Sequence, residues 1–150
     1  MRYHPTTTYA GLFSGLGAAL WTLFEFWMGW HNEHLKIGAR TGFVAIVFPI
    51  IAIVWALRAT KESQAGRLTL VQAVKLGLAV SAVSAAIGAV FFYLYYTAIN
   101  PAFIELMKAQ GQDIDIAAHL AAVIVGSFVV GLLISVIAGA LMRSRKEKIK

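Results

Sequence analysis

The sequence predicts an all-α polytopic membrane protein folded as a bundle of four transmembrane helices. Hydrophobic residues make up 59% of the chain, above the share of about 45–50% that is usual for a soluble domain. They are gathered in four long runs, and most of the charged residues lie between these runs. The runs are continuous and show no period-two alternation, which favours helices over the strands of a barrel.

The four spans are predicted within a single domain, residues 1–150. A transmembrane helix needs about 20 mostly apolar residues. Four segments meet this requirement, at about residues 9–30, 37–57, 70–99 and 116–142. The first two runs are separated by a short loop, so we expect them to form an antiparallel hairpin. The last two runs exceed the minimum length, which predicts that these helices are tilted or extend into the membrane interface.

Charge predicts the orientation, because loops rich in Lys and Arg stay on the cytoplasmic side. With both ends and the middle loop cytoplasmic, that side holds ten of the 13 basic residues. The ten are Arg2, Arg58, Lys61, Arg67, Lys75, Arg143, Arg145, Lys146, Lys148 and Lys150. The net charge of +6 therefore indicates membrane lipids as partners. It does not predict nucleic-acid binding, since these charges flank apolar runs and form no basic groove pattern.

A short amphipathic helix is predicted in the second outer loop. Phe103, Ile104 and Met107 fall on one side of the segment 101–110, so we expect it to lie on the outer leaflet. Asn100 followed by Pro101 predicts the start of this helix, as its N-cap and first helical residue.

Two further stretches carry a family resemblance. Residues 66–77, GRLTLVQAVKLG, and residues 95–103, YYTAINPAF, resemble the bacterial four-helix membrane family filed as domain of unknown function 4199. The first stretch contains Thr69 and Gln72 at the spacing of a capping box. The resemblance covers nearly the whole chain and implies a four-helix architecture in the bacterial inner membrane. It implies no activity.

Small residues recur every fourth position on two of the predicted helices, and they predict helix-packing seams, since close approach in lipid requires small side chains. The seams consist of Gly11 and Gly15 on the first helix, and of Ser127, Gly131, Ser135 and Gly139 on the fourth. Two alternatives are open. The seams pack within the chain, or one of them receives a partner chain in a larger membrane complex or in self-association.

Glu25 is the one acidic residue well inside an apolar run. Burial of an ionised carboxylate in a membrane costs free energy, so Glu25 is expected to be paired, to be neutral or to face a polar cavity. Arg40 lies at a similar depth on the other arm of the hairpin, and a structural Glu25–Arg40 pair is the favoured interpretation. Coupling to a proton or cation is the second, and contact with a lipid or a partner is the third.

Histidines provide weak candidates for a metal site. His31, His34 and His119 gather on the predicted outer side, and imidazole suits Zn²⁺ and similar ions. The spacing matches no recognised ligand pattern, so neither a metal nor any other cofactor is predicted. The chain contains no Cys, which excludes thiol nucleophiles, thiolate metal sites and disulfides.

These observations favour a non-enzymatic membrane module over an enzyme, since no catalytic residue set is recognisable. The module is interpreted as an accessory or scaffold subunit, or as a homo-oligomer. The alternative is a small secondary transporter or ion-coupled protein that uses Glu25.

Overall fold

A computed structural model describes residues 5–143, and in this range the chain forms helices and connecting turns without a strand. Arg2 and the basic tail after Arg143 lie outside the described residues. The helices are α1 (Pro5–Trp27), α2 (Leu35–Thr41), α3 (Val47–Ser63), α4 (Leu70–Leu94), α5 (Ala102–Ala109) and α6 (Ile116–Met142). A 3₁₀ turn at Gly42–Ile46 joins α2 to α3, and a π-helical turn at Tyr95–Ile99 extends α4.

Three segments in the described range are long and apolar enough to cross a membrane: Leu35–Ser63, Leu70–Ile99 and Ile116–Met142. The predicted all-α class and the membrane-helix character are thereby confirmed. The last two segments have the predicted bounds, and each begins at a side-chain cap. Thr69 and Gln72 form the predicted capping box, and Asp115 accepts a hydrogen bond from the amide of Ala118. The helix α1, which carries Glu25, is not among the three, so the count of four spans is not confirmed.

The helix α4 packs against α6 along a row of small residues. A Cβ atom added to Gly131 would overlap the Oγ atom of Ser81, and one added to Gly77 would overlap Ser135. A Cβ atom at Gly139 would lie 2.5 Å from the Cβ atom of Ala73. Residue numbers increase along α6 while those of the contacting residues on α4 decrease, so the two helices are antiparallel. Side chains of one helix contact the backbone of the other at these glycines.

The helix α1 crosses the other side of α4 through a second row of glycines. A Cβ atom at Gly11 would lie 2.5 Å from that of Val83, and one at Gly15 would lie 2.8 Å from that of Ile87. Five of the six predicted seam residues therefore pack within the chain. The sixth, Ser127, bonds the carbonyl of Val123 in its own helix and faces a cavity.

The buried apolar core lies toward the end of the bundle that carries the α3–α4 connection, here called the α3–α4 end. Its largest members are Ile53, Leu57, Leu68, Leu76 and Val80, packed with small alanines of α1, α3, α4 and α6. The opposite end, which carries α5 and the α1–α2 connection, is here called the α5 end. Polar buried side chains and cavities lie there, and the candidate site is built from them.

Candidate functional site

Glu25 lies in the last full turn of α1 and is only 2% exposed. Its Oε1 atom accepts a 2.6 Å hydrogen bond from the hydroxyl of Thr41. Its Oε2 atom lies 3.4 Å from Nε2 of His31. The predicted Glu25–Arg40 pair is wrong: Arg40 is exposed, and no Lys or Arg of the described range forms an ion pair with Glu25. The carboxylate is therefore buried against groups that are neutral when His31 is unprotonated.

A tight turn after α1 brings His31 back to Glu25. Gly29 adopts φ +76°, a left-handed backbone conformation that glycine adopts without steric strain. Its carbonyl accepts hydrogen bonds from the amides of Asn32, Glu33 and His34. At Gly38 in α2, a Cβ atom would lie 2.6 Å from the carbonyl oxygen of Trp30. The hairpin closes at this glycine, and His31 is thereby held between α1 and the π turn.

The π turn supplies the next members of the site. Its backbone bond from the amide of Asn100 to the carbonyl of Tyr95 is 2.7 Å. Single π turns in a helix are frequently found at functional sites. Here Tyr95 and Tyr96 are both buried although they are consecutive. The hydroxyl of Tyr95 lies 2.6 Å from Nδ1 of His31. The side chain of Asn100 does not cap α5 as predicted; its Nδ2 donates to the Tyr95 hydroxyl at 3.1 Å and to Oδ1 of Asn32 at 3.2 Å.

The hydrogen bonds of this network are compatible with a neutral His31. Since Asn100 donates to the Tyr95 oxygen, the single proton of that hydroxyl is free to donate to Nδ1 of neutral His31, whose Nε2 then carries a proton toward Glu25. Burial lowers the pKa of His31 from its ordinary value, although the Glu25 carboxylate opposes this shift. A chain of donors therefore runs from Asn100 through Tyr95 and His31 to the carboxylate.

A cavity of about 480 Å³ lies beside this chain of hydrogen bonds. Glu25 and His31 line it, together with aromatic rings from α4, the π turn and α5. Phe103 of α5 stacks on Tyr96 with a centroid distance of 6.0 Å and contacts His31 at 5.3 Å. The apolar side of the predicted amphipathic helix thus covers the cavity with Phe103 and Met107, which differs from the expectation that it rests on the leaflet.

A second cavity of about 300 Å³ continues the first toward the middle of the bundle. The two share Ala18, Gly42 and Ala45 in their linings. The second cavity is lined by four serine hydroxyls, those of Ser14, Ser81, Ser84 and Ser127. Gly42 is exposed, and a Cβ atom at Gly42 or Gly126 would meet no atom within 4 Å. Open space therefore adjoins the cavity wall between α3 and α6.

The three histidines weighed as metal ligands do not come together with other ligands. No group of three His, Cys, Asp or Glu side chains in the described range is placed to hold a metal. His31 is engaged by Tyr95 and Glu25, and His34 is exposed. His119 of α6 lines the larger cavity and contacts the rings of Phe92 and Tyr96, each at 5.3 Å. Its Nε2 atom is buried without a hydrogen-bond partner.

A family model described as "Protein of unknown function (DUF4199)" matches residues 9–144. The chain belongs to this family. The resemblance predicted from residues 66–77 and 95–103 is confirmed, and the match spans α1 to α6. No curated protein and no solved structure matches the chain.

Proposed function

We propose that this DUF4199 protein is a non-enzymatic integral membrane protein of the bacterial inner membrane that binds a small ligand at its α5 end. The observation that carries the proposal is the larger cavity, which combines aromatic walls with a few polar groups. Ligand sites typically have volumes of about 300–1,000 Å³ and this kind of lining. The unpartnered Nε2 atom of His119 supports it further, since a buried polar atom normally has a partner.

A four-span arrangement, with α1 as the first span, is part of this proposal. The exposed face of α1 is apolar, with Tyr9, Leu12, Phe13, Leu16, Leu20 and Phe24. Its buried face holds small and polar residues such as Gly11, Ser14 and Thr22. This pattern is the reverse of that in a water-soluble helix and suits lipid outside and packing inside. With 23 residues, α1 is about 34 Å long, enough for a hydrocarbon core of about 30 Å.

Both ends and the α3–α4 connection are proposed to be cytoplasmic, which puts the α5 end outside. The bias of Lys and Arg supports this orientation. We expect reporters fused after Ala65 and after Lys150 to be cytoplasmic, and a reporter inserted at Gly111 to be external. An external reporter after Lys150 would contradict the proposed orientation.

Ligand binding is tested with a matched pair of variants. Ala18 lines both cavities, so Ala18→Leu fills the space between them. Ala122→Leu on α6 adds the same volume at an exposed position. With the full-length protein in nanodiscs, saturation-transfer NMR is measured with benzylamine, benzyl alcohol and benzoate. We expect at least one probe to bind the wild type and Ala122→Leu, and to lose at least about tenfold in affinity with Ala18→Leu. Binding of none of them, or equal binding to both variants, would contradict the proposal.

A secondary transporter that uses Glu25 is the second candidate, and the contact of this buried carboxylate with the cavity favours it. Transport requires the α3–α4 end to open, where Ile53, Leu57 and Leu76 pack closely. Uptake of a bound probe into proteoliposomes would distinguish transport from binding alone. The accessory-subunit and homo-oligomer interpretations have less support, because the small-residue seams on which they rested are used between helices of the same chain.

A further inference from the structure

We infer that the ligand of the larger cavity carries a small organic ammonium group, which binds between the Glu25 carboxylate and the aromatic rings of the π turn and α5. This inference rests on the proposed function and adds the chemical class of the ligand. It is based on the charge balance of the cavity, on the rings that surround it and on its open side.

No fixed positive charge in the described range pairs with the Glu25 carboxylate. Its two polar partners are the hydroxyl of Thr41 and the imidazole of His31, and burial lowers the pKa of that imidazole, which favours its neutral form. No Lys or Arg is found among the described residues that line the cavity. Lys108, which lies on α5, ion-pairs with Glu105 at 3.7 Å instead. An ionised carboxylate has about four lone-pair positions, so Glu25 retains acceptor capacity for a cationic donor.

A buried charge without a counter-charge costs free energy, and a bound cation offsets this cost. His119 on α6 and Tyr95 and Tyr96 on the π turn are the other titratable groups that face the cavity. Neither imidazole nor phenol carries a fixed positive charge that would occupy the place of the cation.

The aromatic wall selects an organic cation over a hydrated metal ion. Phe92, Tyr95, Tyr96 and Phe103 form a continuous group of ring contacts with centroid separations of 5.6–6.4 Å. Aromatic faces attract ammonium groups through their quadrupoles, and they provide no oxygen ligands for a metal. The described range also lacks a metal-holding group of side chains.

The ammonium group has two possible sources, a free amine or the headgroup of an aminophospholipid. The exposed Gly42 and the open space at Gly126 adjoin the cavity system on a side that faces lipid in the proposed four-span arrangement, where an acyl chain would extend. Both sources present the same cation to Glu25, so the chemistry of recognition is shared.

The test compares protonated benzylamine with benzyl alcohol, its near-isosteric neutral analogue, on the full-length protein in phosphatidylglycerol nanodiscs at pH 7. Only binding that Ala18→Leu removes is counted. We expect the wild type to prefer benzylamine by about tenfold or more, and Glu25→Gln to abolish this preference. Glu33→Gln, a change of an exposed carboxylate at the same end, should retain it.

A second variant keeps the test decisive if Glu25→Gln does not fold. Phe103→Leu removes one ring without touching Glu25, and it should weaken benzylamine about three- to tenfold more than benzyl alcohol, the range expected for a lost cation–π contact. Equal affinity of the wild type for both probes would overturn the ammonium inference while leaving the ligand-binding proposal intact. Failure of benzylamine, benzyl alcohol and benzoate to bind at all would overturn both.

Nanodiscs that also contain phosphatidylethanolamine distinguish the two sources. If this lipid weakens benzylamine binding to the wild type but not to Glu25→Gln, the headgroup occupies the site and the inference holds for the lipid. If benzylamine binding to the wild type is unchanged, the inference holds for a free amine.

Discussion

The substitution Gly131→Ala is expected to lower the free energy of unfolding by about 1–3 kcal/mol, although alanine is the better helix former. The reason is steric: the added methyl group would occupy the position of the Ser81 hydroxyl in α4. The two helices then have to separate, or Ser81 has to leave its place in a closely packed interface. Thermal unfolding of the purified protein in mild detergent measures the effect.

Gly126 provides the control on the same helix. No atom lies within 4 Å of a Cβ atom placed there, so Gly126→Ala should raise stability by up to about 1 kcal/mol through helix propensity. Combining Gly131→Ala with Ser81→Gly should restore much of the loss, because the overlapping atoms are removed. Equal effects of Gly131→Ala and Gly126→Ala would contradict the close contact between Gly131 of α6 and Ser81 of α4.

The packing faces were predictable from sequence, whereas their partners were not. Small residues at a spacing of four identify one face of a helix, and Gly131, Ser135 and Gly139 all lie on such a face. The spacing contains no information on which helix meets it. That α4 presents Ser81, Gly77 and Ala73 to this face depends on the rotation of both helices about their axes.

The helix boundaries were likewise predictable from the sequence only in part. The starts of α4 and α6 were predictable because Thr69 and Asp115 are capping residues at the start of apolar runs. The predicted first span continued to residue 30, while α1 ends at Trp27. Met28 and Trp30 extend the apolar pattern across a turn that depends on the left-handed backbone of Gly29, and composition alone does not separate that turn from the helix.

The depth of Glu25 in an apolar run correctly indicated a buried carboxylate that needs partners, but its partners were predicted wrongly. Arg40 and Thr41 are neighbours, and successive residues point in directions about 100° apart on a helix. The orientation of α2 turns Thr41 toward Glu25 and leaves Arg40 exposed. The contribution of Tyr95 and Asn100 was missed because it depends on the π turn, which has no reliable sequence pattern.

Removal of the Tyr95 hydroxyl is expected to have the second large effect on the free energy of unfolding. Tyr95→Phe should lower the free energy of unfolding by about 1–3 kcal/mol, because it leaves Nδ1 of His31 and one proton of the Asn100 amide without a partner. Hydrogen bonds in membrane proteins average only about 0.6 kcal/mol each, so most of the loss would come from the two unsatisfied buried groups.

Tyr96→Phe is the matched control, since it removes the same atom from the adjacent residue. Tyr96 is also buried, at 4% exposed, and it contributes ring contacts to Phe92, Phe103 and His119 that phenylalanine would retain. We expect this change to cost less than about 0.5 kcal/mol, the lower limit for one hydrogen bond. Combining Tyr95→Phe with Asn100→Leu should cost less than the sum of the two single changes, because both variants break the same bond. Additive losses, or equal losses for the two tyrosines, would show that Tyr95 contributes through its ring and not through the chain of donors that ends at Glu25.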